Sequence, residues 1–516
     1  MITSPLHTAL AAVVGAENVL ADESARRLAS SDLFLWPEAL VADLVVRPGS
    51  TAEAAAVIAL LNEAGSAIVP RGAGLSYTAG VVPHGPAVVI DSARLDQITI
   101  HAEELHALVG AGVTWQALAE ALKPHGLRAA QINPISGSHS TVGGTASQSI
   151  PGGMDHILGL TVVLADGTVA HTGSAARAGA SAFQRYVGPD LSGIFLGDCG
   201  AFGFKTEVVI RLALEGECAF ASFAFQHAGD MIAALVTLRR RNLVSRAFSM
   251  DQLKGQSATR LEAAEAASVV GAVVREAGSL GRAVKDLAQL AMGRNLLDDA
   301  GWSLHMTVEA ANAAIAEAQL ELARAVCRPA GREIDNVIPK TMRAKPYSVR
   351  GLVGPDGERW VPVHGILPLT RADACMSALV AKLDAGSAAL AAAGISYSWM
   401  ISSSGAYITI EPMFYWKDRL DAIQLSYLST RNRERFGGGA ENLPARALVR
   451  RLRDELRGIM RMHHAEHAQL GRFYPYLSLL EPGAAALATR IKDALDPGRR
   501  MNPGVLGFSK KQGLVP

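Results

Sequence analysis

Three stretches of small and hydroxyl-bearing residues have the composition of loops that bind a phosphate group. The first, residues 70–80, reads PRGAGLSYTAG and follows the short apolar strand predicted at SAIVP. Glycine lets the backbone approach another molecule closely, and successive backbone N–H groups can then form a concave anion site. The hydroxyls of Ser76 and Thr78 add donors. This stretch therefore predicts a pyrophosphate-binding loop, with an ordinary surface loop as the alternative.

Two later stretches have the same character. Residues 137–148 read GSHSTVGGTASQ, with Gly152 and Gly153 soon after, and residues 193–203 read GIFLGDCGAFG. In residues 137–148, small residues and paired glycines offer backbone donors and leave room for a flat ring system. A single loop of this kind would be weak evidence, whereas three beside predicted strands favour one shared ligand.

The fingerprint of nicotinamide-dependent enzymes is missing. Neither Gly72-Ala73-Gly74 nor Gly110-Ala111-Gly112 completes the pattern G-x-G-x-x-G, because the sixth positions hold Tyr77 and Trp115. The nucleotide-binding pattern G-x-x-x-x-G-K-[ST] is also absent from the sequence. The ligand of these loops is therefore expected to belong to another cofactor class.

Residues 462–474, MHHAEHAQLGRFY, supply groups for proton transfer. Histidine is the side chain best suited to accept a proton near neutral pH. A helix here would place His464 and His467 on one face, while Arg472 could grip a carboxylate or a phenolate. A solvated helix end and a surface ion pair are the alternative interpretations.

The predicted elements that position these groups change in character along the chain. Residues 42–212 predict strands alternating with helices, with Ser50 and Glu53 as a capping box and Asp166-Gly167 as a hairpin turn. After about residue 215, helical stretches alternate with the strand-like runs RWVPVHGILPL and AYITIEPMFYW. The predicted helical stretches are 259–293, 307–327, 371–393 and 445–462. This change predicts a second, α+β domain.

The motifs together resemble the flavoprotein superfamily of vanillyl-alcohol oxidase and p-cresol methylhydroxylase, and most closely its D-lactate/glycolate dehydrogenase branch. The residues that carry the resemblance are PRGAGLSYTAGVVP (70–83), GSHSTVGG (137–144), DLSGIFLGDCGAFGFKTEVVIRL (190–212) and DALDPGRRMNPG (493–504). The resemblance implies an α+β fold with a two-subdomain FAD-binding domain of the p-cresol methylhydroxylase type. The implied parts are an N-terminal helical segment (1–37), the FAD-binding domain (38–214), a substrate-binding cap domain (215–475) and a C-terminal segment completing the FAD site (476–516).

FAD is the cofactor that the resemblance implies, with residues 71–76 on the pyrophosphate and 140–148 along the cofactor. The implied cofactor-binding residues are Arg71, Gly72, Ala73, Gly74, Leu75, Ser76, Gly137, Ser140, Thr141, Gly143, Gly144, Gln148, Gly152, Gly203, Val208 and Asn502. Leu75 and Ser76 stand where relatives with a covalent flavin in this domain carry histidine, so attachment there is not expected. Asp198-Cys199 departs from the Ser-Glu of many relatives.

The implied activity is that of an FAD-dependent dehydrogenase or oxidase. The first hypothesis is oxidation of a hydroxy acid or related alcohol by hydride transfer to flavin N5, with electrons passed to a quinone, a cytochrome or oxygen. Glu466-His467…Gly471-Arg472 is similar to a Glu-His-Gly…Gly-Arg-like segment of that branch, whose histidine is the base. The catalytic candidates are His467, His464, Arg472 and Tyr474.

Two other functions stay open. One is oxidation of 4-substituted phenols or benzylic alcohols through a quinone methide, in a pocket walled by aromatic residues. The candidates for that wall are Trp360, Tyr407, Tyr415, Trp416 and Tyr474, with core packing as the alternative. The other is a non-catalytic, flavin-binding electron-relay subunit. No metal is expected, because residues 404–409 lack the His and Asp that some relatives use.

Net charge and cysteine content indicate which classes of partner and which cellular setting to expect. Lys plus Arg is 49 and Asp plus Glu is 48, a net charge of +1, so a nucleic-acid partner is not expected. Four cysteines without a C-x-x-C pair favour a reducing setting over a disulfide framework. No signal peptide or spanning segment is predicted. The expectation is a cytoplasmic oxidoreductase, with peripheral attachment to the inner membrane and a homodimer left open.

Overall fold

The computed structural model describes residues 5–131, 136–150, 152–252, 301–347 and 352–509 of the 516-residue chain. The helix predicted at 259–293 lies outside the described residues. The chain divides into two compact units. The first contains the residues up to Glu215, Asp421–Leu428 and the residues from Ala468 onward, and the second contains Gly216–Leu420 and Ser429–His467.

Helices occur in both units. In the first half of the chain they are α1 (Pro5–Val14), α2 (Glu23–Ala29), α3 (Thr51–Glu63), α4 (Trp115–Leu122), α5 (Val142–Gln148), α6 (Leu191–Phe195) and α7 (Ala228–Arg240). In the second half they are α8 (Ala313–Cys327), α9 (Val337–Ala344), α10 (Ala372–Ala385), α11 (Ser387–Ala392), α12 (Ala422–Tyr427), α13 (Thr430–Phe436), α14 (Leu443–Met462) and α15 (Pro482–Leu495).

The first unit contains two sheets. One has the order β1-β2-β4-β3, with parallel pairing among its last three strands, and consists of β1 (Val19–Leu20), β2 (Leu44–Val46), β3 (Ile68–Arg71) and β4 (Val88–Asp91). The other is antiparallel with the order β5-β6-β10-β8-β9, and β7 pairs with β10. Its strands are β5 (Ile98–His101), β6 (His106–Gly110), β7 (Leu127–Ala129), β8 (Ile157–Val163), β9 (Val169–His171) and β10 (Phe204–Leu214).

Local sequence signals set several of these elements. The Ser50 hydroxyl accepts from the Glu53 N–H at 3.1 Å and so caps α3, a contact worth about 1 kcal/mol. The Glu53 carboxylate accepts from the Gly49 N–H at 2.7 Å instead of closing a capping box on Ser50. Gly167, with a φ of 89°, forms the predicted turn between β8 and β9.

The second unit is built on one sheet with the order β14-β11-β13-β12-β17-β18-β15, and β16 pairs with β18. Its strands are β11 (Glu217–Phe225), β12 (Arg246–Asp251), β13 (Trp302–Ala310), β14 (Arg332–Ile334), β15 (Arg359–Pro362), β16 (Gly365–Pro368), β17 (Ile395–Ser404) and β18 (Tyr407–Trp416). Helices α7 and α8 pack on it, and α10 packs against β18.

One predicted helix is wrong in extent, and one suggested helical segment is not found. The helix predicted at 307–327 begins only at Ala313, because residues up to Ala310 belong to β13. In that strand Leu304, Met306 and Val308 alternate with polar residues, which is the period of two that is typical of a strand. The helix predicted at 445–462 is confirmed by α14, which ends at Met462, but a helix that continues through His464 and His467 is not found, because His464 has a left-handed φ of 62°.

The predicted end of the cap domain at residue 475 also differs from the division of the described chain. Residues from Ala468 onward lie in the first unit, as do Asp421–Leu428. Among the described residues, no helix combines the length and apolar character needed to cross a membrane.

Candidate cofactor-binding site

The first glycine loop leaves β3 at Arg71 and is held through its carbonyl groups. The Tyr427 hydroxyl donates to the Ala73 carbonyl at 2.9 Å, and the Leu33 N–H donates to the Ser76 carbonyl at 2.7 Å. Farther along, the Arg472 N–H donates to the Thr78 carbonyl at 2.8 Å. The loop is thus fixed from the side that carries its acceptors.

The donors of this loop remain open. In the described part of the chain, the backbone N–H groups of residues 72–75 donate no hydrogen bond to the protein. Gly74 has a φ of 75°, which turns the peptide plane, and Gly72, Ala73 and Leu75 are only partly buried. Consecutive open amides of this kind form an anion-binding nest, so the loop fits the pyrophosphate of a dinucleotide.

Arg71 supports the loop from below. Its buried guanidinium donates to the carbonyls of Ala29 at 3.0 Å and Ser31 at 2.7 Å. Burial lowers the pKa of this group. A Cβ atom at Gly74 would collide with this guanidinium, which explains why a glycine is needed there. The structure therefore places Arg71 under the loop, with its charge directed at main-chain oxygens.

The hydroxyls of the first loop are not available in the same way as its amides. Ser76 and Thr78 are both buried, and their hydroxyl oxygens lie 3.1 Å apart in a mutual hydrogen bond. The sequence analysis counted them as extra donors to a ligand. In the structure they stabilise the turn itself.

The second glycine loop has the opposite arrangement, because its amides are already used. Thr141 caps α5, its hydroxyl accepting from the Gly144 N–H at 3.1 Å and its carbonyl from the Thr145 N–H at 3.0 Å. The Val142 and Gly143 N–H groups donate to carbonyls at 2.8 and 3.0 Å, those of Val113 and Ala111. A Cβ atom at Gly143 would lie 2.5 Å from that of Ala111. Glycine at 143 therefore serves close packing.

Three other predicted cofactor residues of these stretches have contacts within the protein, and a fourth is described by its backbone conformation. The Gly137 carbonyl accepts from the Gln116 N–H at 3.0 Å, and the Ser140 hydroxyl lies 2.7 Å from that of Ser136. The Gln148 carbonyl accepts from the Gln469 N–H at 2.7 Å. Gly152 has a left-handed φ of 79° and is partly buried.

Gly203 and Val208 lie inside the protein. A Cβ atom at Gly203 would lie 2.5 Å from a methyl carbon of Val162, so this glycine serves packing. Val208 is fully buried in β10, in register with Val109 of β6 and Leu160 of β8. Both residues therefore pack against strands of the sheet.

Asp198 organises the third glycine cluster, a role that the sequence analysis missed. Its buried carboxylate accepts from the Lys205 ammonium at 2.5 Å and from the N–H groups of Gly200 and Phe202 at 2.9 and 3.1 Å. Next to it, Cys199 has a φ of 50°, and burial raises the pKa of its thiol to about 12. The Gly471 N–H donates to the Cys199 sulfur at 3.3 Å. Aspartate side chains often accept hydrogen bonds from backbone N–H groups two to four residues later and so stabilise turns. The position of Asp198 before Gly200 and Phe202 is such a signal.

The C-terminal segment completes this region through Asn502. Its backbone N–H donates to the Ile68 carbonyl of β3 at 2.7 Å. Its side-chain amide donates to the carbonyls of Gly80 at 2.7 Å and Cys199 at 2.6 Å. One buried amide thus joins the first and third glycine stretches.

Arg472 also contacts the end of the first glycine loop and the segment around Asn502. Its guanidinium donates to the Ala79 carbonyl, to the Val82 carbonyl at 3.0 Å, to the Asn502 side chain at 3.1 Å and to the Pro503 carbonyl at 2.6 Å. Burial lowers the pKa of this group to about 10. Four of its five donors are therefore occupied, and the structure gives Arg472 a positioning role.

The remaining catalytic candidates occupy different environments. The His467 Nδ1 lies 2.7 Å from the His364 carbonyl, which can only accept, so Nδ1 carries the proton. Burial lowers the pKa of His467 to about 4. His464 is exposed after the end of α14, and Tyr474 is buried, with its ring 4.7 Å from that of Phe473. The structure does not bring these residues together on one helix face.

Residues 42–173 match the family described as the FAD binding domain. Glycolate oxidase subunit GlcD of Bacillus subtilis (strain 168) is 30% identical over 227 residues, which are 42% of this chain and 46% of that protein. D-lactate dehydrogenase of Archaeoglobus fulgidus is 27% identical over 203 residues, 38% of this chain and 44% of that protein. The chain thus matches less than half the length of these relatives.

The chain is similar in fold to a solved structure of p-cresol methylhydroxylase with substrate bound. The TM-score is 0.72 at 17% identity, and the match covers 98% of this chain and 96% of that one. The predicted α+β fold of the p-cresol methylhydroxylase type is confirmed. The match of residues 42–173 to the FAD binding domain agrees with this fold, and FAD is the cofactor of this chain.

Proposed function

We propose that this protein is an FAD-dependent oxidoreductase that oxidises a hydroxy acid or a related alcohol. The observation that carries the proposal is the first glycine loop, whose acceptors are held by the protein while the amides of residues 72–75 stay open. These amides would bind the cofactor pyrophosphate, and Asn502 would hold the neighbouring stretches in place. Bound FAD supplies a two-electron acceptor for the hydride of a CH–OH group.

The accompanying proton needs an acceptor, and we assign it to His467. Because Nδ1 donates to the His364 carbonyl, Nε2 is the basic nitrogen of the neutral ring. Burial lowers the pKa of this ring to about 4, so the ring is neutral at pH 7 and is a weaker base than an ordinary histidine. The same backbone contact orients the ring. Arg472 acts through position, because it ties the loop carbonyls of Ala79 and Val82 together.

One strand of the sheet of the second unit carries a buried row of polar side chains. Ser303, His305 and Thr307 alternate with the aliphatic residues of β13 and share one face. His305 lies 2.9 Å from the Ser222 hydroxyl and 3.0 Å from that of Ser303. Burial lowers the pKa of His305 to about 3, so this face carries neutral hydrogen-bonding groups. We propose that the substrate-binding cap comprises this unit.

The proposed substrate class rests on two relatives, a glycolate oxidase subunit and a D-lactate dehydrogenase. Both names describe small 2-hydroxy acids. We assign the chain to the same class of substrate, with electrons passed on to a quinone, a cytochrome or oxygen.

Phenol oxidation is the second candidate, and one observation favours it. Trp360 pairs with Tyr415 in register, and Tyr407 lies an even number of residues before Tyr415, so these three rings share one face of the sheet. Trp416 points to the other face and donates to the Asp418 carboxylate at 2.9 Å. We propose that Trp360, Tyr407 and Tyr415 would line the pocket if the substrate is a phenol.

An anaerobic bleaching assay separates the candidates. The purified holoprotein is mixed with a panel of D-2-hydroxy acids and a panel of 4-alkylphenols, and the loss of flavin absorbance is followed. Bleaching by hydroxy acids alone supports the proposal, and bleaching by phenols alone overturns it in favour of the second candidate. A flavin-loaded protein that neither panel bleaches would point to an electron-relay subunit.

Two histidine variants test the proton acceptor. His467→Gln should slow bleaching by about 10²–10⁴-fold. His464→Asn is the comparison, because asparagine tolerates the left-handed backbone at that position and the side chain is exposed. An equal loss in both variants would contradict the assignment of His467.

The pH profile gives an independent check. Because its pKa is lowered to about 4, His467 should stay neutral as pH falls through 6.5, and the bleaching rate should decline only as pH approaches about 4. A decline centred near pH 6.5 would indicate a base with an ordinary histidine pKa.

A further inference from the structure

The hairpin between β5 and β6 gathers three metal-binding side chains. His101 ends β5, His106 begins β6, and Glu104 lies in the four-residue turn between them. The two histidines face each other in register, with their rings 4.5 Å apart and nearly parallel at 20°. One ligand atom from each of the three residues lies within 4.8 Å of the others.

The buried member of the group has an unmet hydrogen-bonding need. His106 is 3% exposed, and among the described residues its Nδ1 has no hydrogen-bond partner. The nearest carboxylate oxygen of Glu104 lies 3.6 Å from this nitrogen, beyond hydrogen-bonding distance. A buried polar atom without a partner is costly, and a bound cation between these atoms would remove that cost.

We propose that His101, Glu104 and His106 bind a divalent transition-metal ion of the zinc class. Two imidazoles and one carboxylate are the donors that such ions prefer, and three protein ligands leave room for water. His101 and Glu104 are exposed, so both side chains can close on an ion, while His106 is held in place by the sheet. Arg211 opposes His106 in register, and because it is exposed its charge can stay in solvent.

The ion would bridge β5 and β6 at the turn end of this hairpin. The strand β6 runs from His106 to Gly110, and the next residue, Ala111, contacts Gly143 of the second glycine loop. The site lies outside the flavin loops and takes no part in the oxidation proposed above. It is therefore independent of that proposal, and either can fail alone.

Zinc titration of the holoprotein tests the site. After treatment with a chelator and gel filtration, calorimetric titration with Zn²⁺ should show one site that is lost, or weakened more than about tenfold, in His101→Ala and Glu104→Gln. Glu103→Gln is the matched control, because it removes the same charge from the neighbouring exposed position. Zn²⁺ should also raise the unfolding temperature of the wild-type protein but not of the two ligand variants.

Three outcomes would overturn the proposal. One is wild-type zinc affinity in both ligand variants, which would place bound zinc elsewhere. Another is an equal loss in Glu103→Gln and Glu104→Gln, which would mean general electrostatic attraction. The third is X-ray absorption of the zinc complex that lacks two imidazole ligands. Flavin absorbance, recorded in parallel, should not change with zinc in any variant, and this reading separates the site from the oxidoreductase proposal.

Discussion

The first and second glycine loops have nearly the same composition and opposite hydrogen bonding. In the first, the protein holds the carbonyls of Ala73 and Ser76, and the amides of residues 72–75 stay open. In the second, Thr141 and the end of the neighbouring hairpin take up the amides of residues 142–145. Glycine content alone therefore does not identify an anion-binding site. The site is identified by backbone N–H groups that are not hydrogen-bonded to the protein.

The glycines themselves also differ in purpose. Gly74 has a left-handed backbone and lies over the Arg71 guanidinium, so a side chain there would disturb the open amides. Gly143 belongs to α5 and is needed because Ala111 packs against it. One glycine supports binding, and the other supports packing.

The largest effect should come from Gly74→Val. Valine disfavours a positive φ, and its Cβ would displace the Arg71 side chain, so the amides of the nest would turn away. Losing two hydrogen bonds to a charged group should weaken FAD binding about 100-fold or more. Fluorescence titration of the flavin-free protein with FAD measures this. Gly85→Val is the control, because nothing lies within 4 Å of a Cβ there. Equal affinity in the two variants would remove the first loop from the FAD site.

Gly143→Ala should act mainly on stability. The added methyl group would lie 2.5 Å from the Ala111 Cβ, and overpacking of this kind costs about 1–3 kcal/mol. Thermal unfolding should show a fall in the midpoint of several degrees, with FAD affinity changed much less than in Gly74→Val. Gly458→Ala, in α14 with no atom within 4 Å, should not lower the midpoint. A large loss of FAD affinity without loss of stability would show that the second loop binds directly.

Tyr427→Phe should give a smaller change. It removes the hydrogen bond that holds the Ala73 carbonyl, and the ring contact with His139, 4.5 Å between centroids, remains. A neutral hydrogen bond contributes about 1 kcal/mol, so FAD affinity should fall about fivefold. Tyr397→Phe removes a hydroxyl of the second unit and serves as the control in the same titration. An unchanged affinity in Tyr427→Phe would mean that the loop keeps its shape without this contact.

The smallest expected effect is that of pH on FAD affinity. Backbone amides do not titrate, and burial lowers the pKa of His139 in the second loop, so His139 is neutral at pH 7. Affinity measured from pH 6.5 to 8.5 should therefore stay flat. An affinity that rises steadily towards the acid end would indicate that a protonated histidine shares in binding the phosphates, and would blur the distinction between the two loops.

Local signals in the sequence predicted much of the fold. The Ser50 cap, the Asp166-Gly167 turn and helix α14 follow from short-range rules and are confirmed. The failures were of the same local kind. The strand β13 alternates between apolar and polar residue types, although most of both sets are buried, and the backbone of His464 turns where a continuing helix was expected.

The candidate site was harder to predict because its important contacts join distant parts of the chain. Arg472 was expected to bind a substrate group, and it binds carbonyls near residue 80 instead. Asp198 attracted attention only as a departure from relatives, although its carboxylate organises the third cluster. No local pattern shows which charged side chain will be buried against main-chain oxygens.

The sequence by itself determined that this chain has glycine-rich turns after strands, a neutral overall charge and the motifs of a flavin-binding fold. Only the tertiary structure decided which of those turns has backbone N–H groups that are available to a ligand. That choice depends on Leu33 and Tyr427, which reach the first loop from distant segments and hold its carbonyls. Whether a backbone N–H group is available depends on which distant segments fold against the loop, and the composition of the loop does not determine this.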